Sequence, residues 1–137
     1  MNVNSVYPKV REIIADVLVI NEDDVFLESR LISDLGAESI DFLDLVFQLE
    51  KEFSIKIPRG QLEKNARGDM TEEEFEKGGV LTPQGLTALK KYLSEVPEEQ
   101  FKSQLKVGEI PMLFTVETFC KLIVNAVNEK ARSETVV

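Results

Sequence analysis

Ser39 stands in the run Asp34, Leu35, Gly36, Ala37, Glu38, Ser39, Ile40 and Asp41, which closes a loop and opens an amphipathic helix. A serine hydroxyl ringed by acids at a helix start has two readings. It is an ordinary first-turn residue making local hydrogen bonds, or it is the attachment point for something carried. Nucleophilic hydrolysis by such a serine needs a neighbouring base, and the chain contains no histidine. The Ser-His triad and any His-bearing zinc site are therefore missing. The single Cys120 allows neither an intrachain disulfide nor a CxxC redox pair. The acidic stretch from Asn21 to Glu28 lacks the oxygen-ligand spacing of an EF-hand, so no metal centre is expected. The chain reads as a non-enzyme.

A length of 137 residues with 43% hydrophobic content and no Trp suits one soluble domain with a real core. The net charge of -9 offers no basic face to displace counterions from phosphates, which argues against a nucleic-acid partner. The acidity is concentrated: residues 1–58 hold 12 acids and 5 bases, while residues 59–114 hold 10 and 8. Partners of the first segment should be basic. No run approaches the about 20 apolar residues that span a bilayer, and the N-terminus does not resemble a signal peptide; a cytoplasmic, non-membrane-spanning protein is expected.

The elements that must hold Ser39 follow from periodicity. Val6, Val10, Ile13, Ile14, Val17 and Leu18 recur at three- and four-residue steps, predicting a helix over about 5–19 with Pro8 in its first turn. The loop from Asn21 to about Gly36 carries Val25, Leu27, Leu31, Ile32 and Leu35, enough apolar side chains to pack it down. A second helix runs from Glu38 or Ser39 to about Phe53. It carries two apolar stripes, one of Leu45, Val46, Leu49 and Phe53 and another of Ile40, Leu43 and Phe47. Periodicity favours burial of both; the alternative leaves the second exposed as a docking surface beside Asp41 and Asp44. Ile55, Ile57 and Pro58 make an extended exit.

Residues 59–114 read as short helical pieces. Thr71 and Glu74 form a capping box ahead of Phe75, stopped by Gly78 and Gly79. Thr82 and Pro83 start a helix with Leu86, Leu89, Tyr92 and Leu93 on one face. Another helix is expected over about Pro97–Leu105, followed by a loop from Gly108 to Phe114. Thr115 caps a last helix to about Ala131 with Val116, Phe119, Cys120, Ile123, Ala126 and Val127 in its stripe, which makes Cys120 a buried structural thiol. Residues 133–137 are expected to fray. No strong alternating run is present, so the fold is all-α.

Helix two, the serine at its start, and the preceding Asp34, Leu35, Gly36 and Ala37 resemble the acyl carrier proteins. Those read Asp-Ser-Leu where this chain reads Glu38, Ser39, Ile40, and the likeness continues through Asp41, Asp44, Leu45, Val46, Leu49, Glu52, Phe53, Ile55, Ile57 and Pro58. It covers about residues 5–58 and resumes at Thr115–Ile123. The resemblance implies an acyl-carrier-like four-helix bundle with an additional inserted helical region. The single domain 1–137 then divides into a carrier core, 5–58 and 115–131, and a helical insertion, 59–114. Pro97–Leu105 is the candidate for the family's short third helix. Within the family, helix two with Lys51, Lys56 and Pro58 looks most like the specialised carriers for very long acyl chains in lipid A biosynthesis, which also have extra residues after the proline.

By this resemblance Ser39 accepts 4'-phosphopantetheine from coenzyme A through a separate transferase, making the chain a phosphoprotein that holds acyl groups as thioesters for fatty-acid or specialised lipid synthesis. Gly36 lets the chain turn into the helix. Asp34, Glu38, Asp41 and Asp44 are the expected contacts for basic patches on the phosphopantetheinyl transferase and on acyl-processing enzymes such as ketosynthases and acyltransferases, with Ile40, Leu43 and Phe47 as apolar contacts. An acyl cavity is expected among Val10, Ile14, Leu45, Val46, Leu49, Ile57, Phe119 and Ile123, residues that are equally the expected core. Leu86, Leu89, Leu93 and Phe101 make the insertion a candidate cover for that cavity or a second docking surface. Two positions depart from the family: Glu38 replaces the usual Asp, and Lys51 stands where bacterial fatty-acid carriers commonly have an acid. A carrier for an aminoacyl or polyketide group, and an unmodified carrier-like binding module, remain open alternatives.

Overall fold

The computed structural model describes residues 2–57 and 61–135. It contains two compact units, one formed by Met1–Ile57 with Thr115–Val137 and the other by Pro58–Phe114.

In the first unit α1 spans Val3–Leu18. It begins two residues earlier than periodicity suggests because Asn2 caps it, its Oδ1 accepting the Ser5 N–H at 3.0 Å. Pro8 therefore lies in the second turn, not the first. Val6, Val10, Ile14 and Ala15 are the buried face. The following loop is packed, as its composition suggests: Val25 and Leu31 are fully buried. Two side chains of α1 hold it, Tyr7 donating its hydroxyl to the Val25 carbonyl at 2.7 Å and Arg11 Nε donating to the Glu22 carbonyl at 2.6 Å.

The same loop also starts the last helix. The Leu27 and Ser29 carbonyls accept the Glu117 and Val116 N–H groups at 2.9 and 3.0 Å, so two amides of that helix's first turn, which have no intrahelical partner, are satisfied by the loop. Thr115 adds the expected cap, its Oγ1 accepting the Thr118 N–H at 3.2 Å. Numbered in chain order across both units, this helix is α6, Val116–Thr135. It passes the expected end at Ala131, so the backbone of residues 133–135 is helical; residues 136–137 lie outside the described residues.

Helix α2 spans Ser39–Phe53. Ser54 ends it in the left-handed region with φ 54°, and Lys130 Nζ donates to the Ser54 carbonyl at 2.6 Å. The Glu50 carboxylate then takes the Ile57 N–H at 2.6 Å, drawing the chain back along the helix. α1 packs against both α2 and α6, and α2 also meets α6. Leu45, Leu49, Phe119, Cys120 and Ile123 are buried, joined by Leu122, which lies outside the stripe read from the sequence.

The second unit opens with α3, Gln61–Arg67. α4, Glu72–Phe75, carries the expected capping box: Thr71 Oγ1 accepts the Glu74 N–H at 3.2 Å, and Glu74 Oε1 accepts the Thr71 N–H at 2.9 Å. A small antiparallel hairpin follows, β1 Glu76–Lys77 and β2 Val80–Leu81, with Glu76 opposite Leu81 and Lys77 opposite Val80. Gly78 and Gly79 at φ 59° and 82° make its turn, a conformation that suits glycine. α5, Pro83–Tyr92, starts at the Thr82 cap as expected. It packs against α3, α4 and β2.

The helix expected over Pro97–Leu105 does not form. Only Glu98–Gln100 makes a 3-10 turn. Beyond it, past a turn at Ser103 and Gln104, the chain pairs with the hairpin: Leu81 N–H donates to the Leu105 carbonyl at 2.9 Å, Val107 N–H to the Gly79 carbonyl at 2.8 Å, and Val80 bridges Lys106. Pairing to the hairpin satisfies the backbone and still buries Phe101 and Leu105. Val107–Leu113, read as mostly loop, forms 3-10 turns. Leu89, Leu93 and Phe101 are buried and Leu86 half-buried.

Candidate functional site: the start of α2

Gly36 adopts φ 75°, a conformation that strains any residue with a Cβ, and its N–H meets the Ile32 carbonyl at 3.2 Å. Ala37 follows, buried, with its N–H on the Leu31 carbonyl at 2.9 Å. The chain thus turns tightly, anchors on Ala37 and enters α2 at Ser39. Glu38, the residue before the helix, is exposed and extended, with φ -106° and ψ 168°.

Glu38 and Asp41 are paired through the backbone. The Glu38 N–H donates to Asp41 Oδ2 at 2.7 Å, and the Asp41 N–H donates to the Glu38 carbonyl at 2.9 Å. This is one half of a capping box, with a carboxylate at the third helical position reaching back to close the first turn. Asp34 is also engaged. Its carboxylate accepts the Arg30 backbone N–H at 2.8 Å and pairs with the Arg30 guanidinium at 3.3 Å. Chiefly that backbone N–H, and then the guanidinium, hold the Asp34 carboxyl below its ordinary value. Of the four acids read as docking contacts, Asp34 and Asp41 therefore have structural tasks as well.

The second stripe of α2 is not buried, contrary to the periodicity argument. Ile40, Leu43 and Phe47 are 70%, 63% and 59% exposed. The reason lies in the packing: α1 and α6 gather on the Leu45 and Leu49 side, leaving the opposite stripe outward. Ile40, Asp41, Leu43, Asp44 and Phe47 together line a shallow surface groove of three apolar and two acidic side chains.

The residues read as an acyl cavity form the core of the first unit: Val10, Ile14, Leu45, Leu49, Ile57, Phe119 and Ile123 are buried, and Val46 is half-buried. Phe42 was missed in the stripes, yet it is half-buried and stacks on Phe119 with ring centroids 5.9 Å apart. Its signal was present in the sequence, since Phe42 precedes Leu45, Val46 and Leu49 by three, four and seven positions. Cys120 is fully buried, and burial pushes its thiol up to about 12. Among the described residues no helix is long and apolar enough to cross a membrane.

A helix start with a glycine turn before it, acids at its first turn and an exposed apolar stripe beyond is what the resemblance to the acyl carrier proteins implies. Comparison with known proteins agrees: residues 8–67 match the family described as "Phosphopantetheine attachment site". The chain is 42% identical over 76 residues to the acyl carrier protein AcpXL of Rhizobium meliloti, covering 55% of this chain and 80% of that protein. It is 42% identical over 73 residues to AcpXL of Brucella melitensis, covering 53% and 78%. Against the acyl carrier protein of Clostridium perfringens it is 48% identical over 52 residues, covering 38% and 68%. The chain belongs to the acyl carrier protein family. Its members are carriers and not catalysts, they hold 4'-phosphopantetheine, and they work with a phosphopantetheinyl transferase and acyl-processing enzymes.

The family match ends at Arg67, the last residue of α3. This helix, absent from the sequence reading, follows α2 directly in the chain, a place for which Pro97–Leu105 had been the candidate. Its signal is compositional: Gln61, Leu62, Glu63, Lys64, Ala66 and Arg67 are all strong helix formers.

Proposed function

We propose that this protein carries acyl groups on a 4'-phosphopantetheine arm attached to Ser39, in a specialised lipid pathway of the cytoplasm. The observation that carries this reading is the position of Ser39 as the first residue of α2, between exposed Glu38 and exposed Ile40, at the head of the acidic and apolar groove. The site suits the group: a helix N-terminus favours an added phosphate, and the residues on either side of Ser39, Glu38 and Ile40, are exposed. In the attachment step the Ser39 hydroxyl attacks the pantetheine-bearing phosphorus of coenzyme A, a phosphodiester forms, and adenosine 3',5'-bisphosphate and the hydroxyl proton leave. The arm then supplies a thiol that holds the cargo as a thioester.

Glu38, Asp41 and Asp44 would meet basic patches on the transferase and on ketosynthases and acyltransferases, while Ile40, Leu43 and Phe47 give apolar contact; Asp34 contributes by shaping the loop. Charge of this kind speeds and orients encounter without locking the complex, as a carrier visiting successive enzymes requires. We assign the carrier body to 5–58 and 115–131 and treat 59–114 as an insertion into it. The helix-two likeness to very-long-chain carriers of lipid A synthesis, together with the two relatives named AcpXL, supports a specialised cargo.

Intact mass after incubation with coenzyme A and a broad-specificity transferase tests the reading. A phosphopantetheine increment that disappears in Ser39→Ala is expected; an unmodified chain under conditions that modify a control carrier would sink it. Mass spectrometry of the protein purified from its own source identifies the cargo and separates acyl from aminoacyl or polyketide loads.

A further inference from the structure

Asp41 sits two residues past Ser39 and lines the groove with Ile40, Leu43, Asp44 and Phe47, so its charge invites reading as a docking contact and no more. The hydrogen bonds say otherwise. Asp41 Oδ2 accepts the Glu38 N–H at 2.7 Å, and the Asp41 N–H donates to the Glu38 carbonyl at 2.9 Å. Ser39 and Ile40 are the two residues enclosed by this reciprocal pair. The closure acts on an amide that an α-helix cannot satisfy from within, because Glu38 lies ahead of the first turn. Upstream, Gly36 at φ 75° bars the helix from growing backwards through the loop. The start of α2 is therefore set from both sides, by a left-handed residue before Ser39 and a carboxylate after it.

We infer that Asp41 is a positioning residue for arm attachment: its carboxylate, by holding the Glu38 N–H, keeps Ser39 at the first position of α2 in the conformation a transferase must meet. This rests on Ser39 being the attachment site. It gives Asp41 a task that depends on an acceptor oxygen at the third helical position rather than on charge, in contrast to Asp44 one turn further along the same groove. The two tasks separate by substitution. Asp41→Asn keeps an acceptor and removes the charge; Asp41→Glu keeps both, and Glu is the residue most used at this position of a capping box. Asp41→Ala removes both.

The test uses the full chain in its unmodified form, with coenzyme A and a broad-specificity transferase as the probe. Amide hydrogen exchange at Glu38, read by NMR, reports the cap without any transfer taking place. Asp41→Ala should speed that exchange and lower the kcat of attachment about five- to tenfold, the scale of a lost cap, with little change in KM. Asp41→Asn and Asp41→Glu should retain most of the protection and of kcat. Asp44→Asn should instead raise KM, weaken its salt dependence and leave Glu38 protected. Two results would overturn the inference: Glu38 exchange unchanged in Asp41→Ala, or Asp41→Asn as impaired as Asp41→Ala with the whole effect in KM and abolished by salt. Failure of the unsubstituted chain to accept the arm overturns the Ser39 assignment itself, a result distinct from a modified chain whose Asp41 variants behave alike.

Discussion

Phe42 in the first turn of α2 stacks on Phe119 of α6, with ring centroids 5.9 Å apart and planes inclined by 26°. The pair ties the end of α2 that bears Ser39 to the helix whose first turn is held by the loop carbonyls of Leu27 and Ser29. Phe119 is buried and Phe42 half-buried, so their truncations should differ. Phe119→Ala is expected to cost about 3–5 kcal/mol, the range for a buried ring, and Phe42→Ala less. Urea unfolding of both single variants and the double variant should give a coupling of about 0.5–1.5 kcal/mol; a coupling of zero would remove the stack as a stabilising contact.

The two stripes of α2 should separate stability from partner engagement. Leu45→Ala and Leu49→Ala empty fully buried positions and are expected to cost about 2–5 kcal/mol. Phe47→Ala and Leu43→Ala, on the exposed stripe, should change stability within about 0.5 kcal/mol while weakening capture by acyl-processing enzymes. Thermal unfolding alongside partner kinetics decides it; a large loss of stability in Phe47→Ala would mean that the stripe is packed after all.

The Arg30–Asp34 pair should give the protein a small acid-sensitive component. The folded-state pKa of Asp34 lies below its unfolded value of about 3.9. Its contribution is then present above that pH and is lost as the pH falls through the folded pKa. With the two side chains 35% and 43% exposed, solvent screening keeps it under about 1 kcal/mol. Asp34→Asn should lower stability at neutral pH by that amount and flatten the dependence below about pH 4. An unchanged pH profile would count against the pair.

Cys120 should be silent in the folded protein. Its thiol, pushed up to about 12 by burial and then by Glu117, holds almost no thiolate at neutral pH. Iodoacetamide is expected to add nothing to the native unmodified chain and one label after denaturation. Once an arm is attached, one label on the native chain would report the arm alone, which makes the reagent a direct count of loaded carrier. Labelling of the native unmodified chain would contradict the burial of Cys120.

Substitution at Gly36 should matter more than its open surroundings suggest. A Cβ there meets no atom within 4 Å, yet φ is 75°. Gly36→Ala is expected to cost about 1 kcal/mol through backbone strain alone. It should also slow arm attachment, since the turn delivers the chain to Ser39. Calorimetry and transfer kinetics on the same variant test both parts.

What the amino-acid order determined by itself is local. The caps at Thr71, Thr82 and Thr115, the break at Gly78 and Gly79, the faces of α1 and α6, and Ser39 at the start of an acidic helix all follow from contacts within a few residues, so periodicity and capping rules reach them; that the two glycines turn a hairpin does not. Family likeness could be read for the same reason, since the residues around Ser39 are contiguous. Tertiary structure decided what depends on distant partners. Whether Ile40, Leu43 and Phe47 face outward depends on where α1 and α6 pack, and a helix carrying two apolar stripes does not encode which one is covered. Phe101 and Leu105 had helical spacing, but the open edge of a hairpin about 25 residues upstream offered the backbone of residues 105–107 a better set of hydrogen bonds. Asp34 and Asp41 looked like equivalent surface charges, until the loop and the helix start gave each an amide to hold.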